Sequence, residues 1–73
     1  MITVKHVIII SGLLPNHDII DDKYYFEVDG ESFSDIQKQV NDFYKKFKTN
    51  CTRILKRNSG SIFDLKFILE TLP

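Results

Sequence analysis

The sequence predicts one small α+β domain, a small antiparallel sheet with one helix on one face, in the order β-β-α-β-β. Three patterns predict it. Residues 2–10 are crowded with β-branched side chains, which favour a strand. Residues 23–29 alternate, with Tyr24, Phe26 and Val28 facing one way and Lys23, Tyr25, Glu27 and Asp29 the other. Ile36, Val40, Phe43 and Phe47 then recur at the helical period and share one face.

The first strand is apolar on both faces, with Val4, Ile8 and Ile10 on one and Val7 and Ile9 on the other. A strand of that kind belongs at the centre of its sheet or under cover on both sides. Residues 11–22 read as a connection, because Gly12, Pro15, Asn16 and the pair Asp21-Asp22 are turn residues. Leu13, Leu14, Ile19 and Ile20 are too apolar to float free in it, so they cap the core or form a contact surface. Asp29-Gly30 ends the second strand.

The helix starts at a cap. Ser32 with Asp35 three residues on fits a capping box, and Ser34 with Gln37 is the competing register. Thr49-Asn50 reads as the helix end, residues 52–57 as a strand, and Asn58-Ser59-Gly60 as a turn. For the last stretch two readings stand. Phe63, Leu65, Phe67 and Leu69 alternate with Asp64, Lys66 and Ile68, which favours a strand. The rival is a helix capped by Ser61 with Asp64, burying Ile62, Leu65, Leu69 and Leu72, which gives β-β-α-β-α.

Composition bounds the function. With 73 residues the chain makes one domain, residues 1–73, and buries only about 60% of the surface it exposes unfolded. No apolar run approaches the roughly 20 residues that span a membrane, and Val7–Ile10 is too short for a signal-peptide core, so the expectation is a cytoplasmic protein without membrane partners. The lone Cys51 forms no internal disulfide, and Asn50-Cys51-Thr52 matches the glycosylation pattern by chance. Ten basic and ten acidic side chains cancel, which excludes a global polycation. Alanine and tryptophan are absent while Ile, Lys, Asn, Asp and Phe abound, a bias toward AT-rich codons expected of a low-GC bacterium or one of its phages.

Chemistry-bearing groups are sparse. Cys51 or Ser11 with His6 or His17 would supply a nucleophile and a base, but no motif orders them. His17, Asp18, Asp21 and Asp22 match no metal-loop spacing. No enzyme, cofactor or metal is expected. Two surfaces remain. One is apolar: Ile9, Leu13, Leu14, Ile19, Ile20 and Tyr25 would bind another protein or a second copy of the chain. The other is basic: Lys45, Lys46, Lys48, Arg53, Lys56 and Arg57 crowd residues 45–57 without an acid and would touch nucleic acid. A sheet face carrying Tyr25, Lys5, Lys23, Lys56 and Lys66 would add a modest stacking platform.

Residues Val28 to Ile36, a strand, an Asp-Gly turn and a capped helix, resemble the strand-to-helix step of HicB-type antitoxins and of other small α+β domains. The resemblance implies no functional residue here. The expected function is a small protein-interaction domain acting as an inhibitor or adaptor, with nucleic-acid binding as the alternative.

Overall fold

The elements run β1 (Ile2–Leu13), β2 (Ile19–Gly30), α1 (Phe33–Ser59) and β3 (Asp64–Thr71). A computed structural model describes residues 1–13, 18–59 and 64–73, apart from the side chains of Lys56, Asn58, Ser59 and Asp64. The α+β class, the antiparallel sheet and the single helix stand as the sequence predicts. The expected strand over residues 52–57 does not exist: those residues belong to α1, and the order is β-β-α-β. The last element is a strand, so the rival final helix falls. Leu14, Pro15, Asn16, His17, Gly60, Ser61, Ile62 and Phe63 lie outside the described residues.

The sheet order is β2-β1-β3. β1 pairs antiparallel with both neighbours, setting Val4 against Val28, Ile8 against Tyr24 and Leu69, and Ile10 against Phe67. This central place is what its two apolar faces require. Even-numbered positions of β1 and β2 and odd-numbered positions of β3 therefore point toward the helix, and the others point away. Ser11–Leu13 and Ile19–Asp22 are strand rather than connection, because the hairpin ladder continues to the pair Leu13 and Ile19. The turn residues at both ends of this stretch disguise apolar positions that keep the period of two.

The helix is longer than its punctuation suggests. Thr49 does not end it: its Oγ1 donates to the carbonyl oxygen of Lys45 at 3.0 Å, a bond made within a helix turn. Cys51, Ile54 and Leu55 extend the apolar face of Phe43 and Phe47 by two more turns. Arg53, Leu55, Lys56 and Arg57 are good helix formers, and they outweigh the β-branched Thr52 and Ile54.

The helix start is fixed by side chains. The Asp35 amide donates to Ser32 Oγ at 3.1 Å, and Asp35 Oδ2 accepts from the Glu31 amide at 3.4 Å. Gln39 Nε2 donates to the Asp29 carbonyl at 2.9 Å, tying the second helical turn to the end of β2. Gly30 sits beneath this knot. A β-carbon there would meet Asp35 Oδ2 and Ile36 Cγ1, each at 2.8 Å. From this dock α1 runs along β1 and against β2. Ile36 and Val40 cover Val28, with Ile2, Val4, Phe26 and Leu69 packed around them. Ile36 to Leu55 rises about 28 Å on the helix, and Val28 to Ile20 spans about 27 Å on the strand, so the two layers keep step.

Substituting Gly30→Ala wedges a methyl group between β2 and α1. We expect a loss of about 1–3 kcal/mol, read as a lower urea midpoint at unchanged slope. An unchanged midpoint means the helix start yields freely. Thr52→Pro separates the two readings of residues 52–57. In a helix interior proline costs about 3 kcal/mol or more, whereas on an exposed edge strand it is nearly free.

Candidate interaction surfaces

Little of the chain is core. Among the described residues the buried apolar side chains are Val7, Ile8, Ile10, Val28, Ile36 and Val40. The Cα radius of gyration is 14.2 Å, against about 11 Å for a compact chain of this length. The helix packs mainly on β2 and less on β1, and no described element covers the other face of the sheet.

That helix-free face collects much of the apolar set. By register, successive rows across β2, β1 and β3 read Tyr25, Val7 and Glu70, then Lys23, Ile9 and Ile68, then Asp21, Ser11 and Lys66. A last row brings Ile19 beside Leu13. Ile19 is 80% exposed, Tyr25 62%, Leu13 43% and Ile68 38%. Thus Ile9, Leu13, Ile19 and Tyr25 share one face. Ile20 faces the helix instead, because adjacent strand residues point to opposite sides. It lines a cleft of about 280 Å³ with Ile10, Asp22, Cys51, Ile54 and Leu55. Leu14 lies outside the described residues. Lys5, Lys23 and Lys66 join Tyr25 on the open face as expected, but Lys56 belongs to α1. Lys5 Nζ lies 3.9 Å from Glu27 Oε1, so one of these cations already has an anionic neighbour.

A second apolar region lies between α1 and the β2 edge. Phe26 and Phe43 rings sit 4.5 Å apart, Tyr24 and Phe47 5.0 Å, and Phe43 and Phe47 6.0 Å. Tyr24, Phe26 and Phe43 of this set wall an open cleft of about 630 Å³ with Gln39, Asp42 and Lys46. The sequence carried the signal for this ladder: aromatics fall on the inner side of both β2 and α1, and the matched rise of the layers brings them together.

The basic residues expected at a helix end and a following hairpin share one helix. Lys45, Lys46 and Arg53 line a shallow groove with Asp42, Thr49 and Asn50. Lys48 turns aside, its ammonium 4.4 Å from the Tyr44 ring centre. Arg57 is exposed, and the Lys56 side chain lies outside those described. The fold also undoes the separation of charge along the sequence. The end of α1 lies beside the Asp21–Asp22 end of β2, as the cleft shared by Asp22, Ile54 and Leu55 requires.

Reactive groups are scattered. Cys51 is half-buried on the helix side, Ser11 points from the opposite sheet face, and His17 lies outside the described residues. His6 is buried, stacked on Phe26 at 5.2 Å, and its Nδ1 has no hydrogen-bond partner among the described residues. Among the described residues no group of three or more His, Cys, Asp or Glu side chains is placed to hold a metal ion. Likewise, no described helix is long and apolar enough to cross a membrane. Comparison with protein families, curated proteins and solved structures finds no match to this chain.

Burial pushes the Cys51 thiol above its ordinary value. The neutral thiol is thus favoured in the folded chain, and its stabilising contribution fades as pH rises through the ordinary thiol range. Alkylation of Cys51 by iodoacetamide at neutral pH is expected to run slower than in a short peptide, and to accelerate only at more alkaline pH. Equal rates at neutral pH would show that the thiol is not shielded.

Proposed function

We propose that this chain is a non-enzymatic interaction module that docks another protein on the helix-free face of its sheet, as an inhibitor or adaptor. The observation that carries the reading is the apolar set left open there: Ile19, Tyr25, Leu13 and Ile68. Large apolar side chains gathered on one face of a small chain mark a contact surface rather than random exposure. The whole molecule supports the same reading. It exposes 5419 Å², while a compact monomer of this mass exposes about 4,700 Å². The face is mixed rather than greasy, with Lys5, Lys23, Asp21, Lys66 and Glu70 around the apolar strip. A polar rim around an apolar centre suits a partner that binds and releases.

Nucleic-acid binding through α1 is the second reading. It gains from the placing of Lys45, Lys46, Arg53 and Arg57 on one helix. It loses from Asp42 inside the same groove, from the engagement of Lys48 with Tyr44, and from the nearby acidic end of β2.

One experiment separates them. Tagged chain is purified from lysate with and without nuclease and at two salt concentrations. The double variant Ile19→Asp and Tyr25→Glu is run in parallel. Both positions are exposed, so folding stability should change by less than about 0.5 kcal/mol for each. A stoichiometric protein that resists nuclease and salt, and that the double variant no longer retains, supports the open-face reading. Retention of that protein by the double variant sinks it. Nucleic acid that salt strips away, and that Arg53→Glu no longer holds, would promote the helix instead.

A further inference from the structure

The two edges of the sheet are built differently. β2 carries Asp21, Asp22, Glu27 and Asp29 against the single Lys23, so an identical strand laid beside it meets mostly like charge. β3 has no proline between Asp64 and Thr71; it carries Asp64 at its first position, and Lys66 and Glu70 stand two residues to either side of Ile68. Its inner side is also under-covered. The helix leans on β2 and β1, and Leu65, Phe67 and Leu69 stay only half-buried.

The backbone phase of the outer β3 edge, which no described strand pairs, follows from the ladder. The Leu72 amide donates to the Lys5 carbonyl at 2.8 Å, so Leu72 points its backbone groups at β1. Strand residues alternate, so Leu65, Phe67, Leu69 and Thr71 point their N–H and C=O groups away from β1. Those groups form a ready template for another strand.

We propose that a second copy of this chain pairs with β3 along that edge, antiparallel and centred on Ile68, to give one continuous sheet β2-β1-β3-β3-β1-β2. The phase of the outward groups restricts antiparallel self-pairing to alternate registers. Centring on Lys66 or Glu70 sets like charges face to face, centring on Phe67 sets Glu70 opposite Asp64, and centring on Leu69 sets Glu70 opposite Ile68 and Lys66 opposite Leu72. Centring on Ile68 pairs Lys66 of each copy with Glu70 of the other, twice. These are non-hydrogen-bonded positions, where side chains approach most closely. Ile68 meets its own copy between them. On the inner face Phe67 lies opposite Leu69 of the second copy, again twice, within hydrogen-bonded pairs made by the outward groups. The self-complementary strand thus satisfies the free backbone edge, neutralises both charges and covers the open inner side of β3. This pairing does not depend on the open-face reading above, since it uses the sheet edge and leaves Ile19 and Tyr25 free.

The test is sedimentation velocity on the full chain over a concentration series. Wild-type chain is expected to dimerise. Lys66→Glu alone and Glu70→Lys alone each place like charges at both paired positions, and each should weaken dimerisation about tenfold or more. An equal mixture of the two variants restores unlike charges at both positions and should recover the wild-type strength. Lys66 and Glu70 lie too far apart along their own strand for a contact within one chain to mimic that recovery. Amide exchange of the wild-type chain gives a second readout without substitution, since the Phe67 and Leu69 amides should become more protected as concentration rises. A chain monomeric at near-millimolar concentration overturns the proposal. So does a dimer indifferent to both substitutions, or a mixture that fails to recover with Phe67 and Leu69 exchange independent of concentration.

Discussion

Everything in the molecule hangs on β1. It is hydrogen-bonded along both edges, carries apolar side chains on both faces, and supplies Ile8, which has no exposure at all. β2 and β3 do not pair with each other, so removing β1 would leave no sheet. Val7 stays buried even on the helix-free side, because Tyr25 and Glu70 flank it across the strands. One strand therefore meets two demands that larger domains divide among several elements, a dry inner layer and the coherence of an uncovered outer layer.

The helix is held most firmly at its beginning. Ser32, Asp35 and Gln39 anchor it over Gly30, and Ile36 and Val40 bury there. Farther along, the layer is filled by aromatic rings that remain partly in water, and then by Cys51, Ile54 and Leu55 around a cleft. Packing thus thins from the Gly30 end toward the Ile20 end. The exposed apolar surface follows from this. A thin inner layer and an outer layer that no described element covers leave large apolar side chains such as Ile19, Tyr25 and Ile54 exposed.

Much of this was readable from residue order. The period of two in β2 placed Tyr24, Phe26 and Val28 inward, and the double-sided apolar run placed β1 at the centre. Ser32 and Asp35 named the helix start. What misled was local punctuation. Gly12 and the Asp21-Asp22 pair sit in strand positions because a long hairpin ladder outweighs turn propensity. Thr49-Asn50 sits inside the helix because the apolar face continues beyond it. For the candidate surface, the period of two already separated Ile19 from Ile20, so only one of them could share a face with Leu13 and Tyr25. The aromatic ladder needed the length match between α1 and β2, which no local window contains.

The order of elements has a consequence for how the chain acquires its structure. β1 and β2 join through a short connection, whereas even the nearest pair of β1 and β3, Leu13 with Asp64, closes across β2 and the whole helix. Loop-closure entropy sets local pairing ahead of distant pairing. Pairing β1 with β2 and forming the capped helix therefore cost less chain entropy than docking β3. Until β3 is in place β1 has one paired edge and one bare edge, with Ile8, Ile9 and Ile10 in the middle of the bare one. Such a strand is prone to wrong pairing until its proper neighbour arrives. Docking of β3 is thus the step that removes the edge at which such mispairing would start.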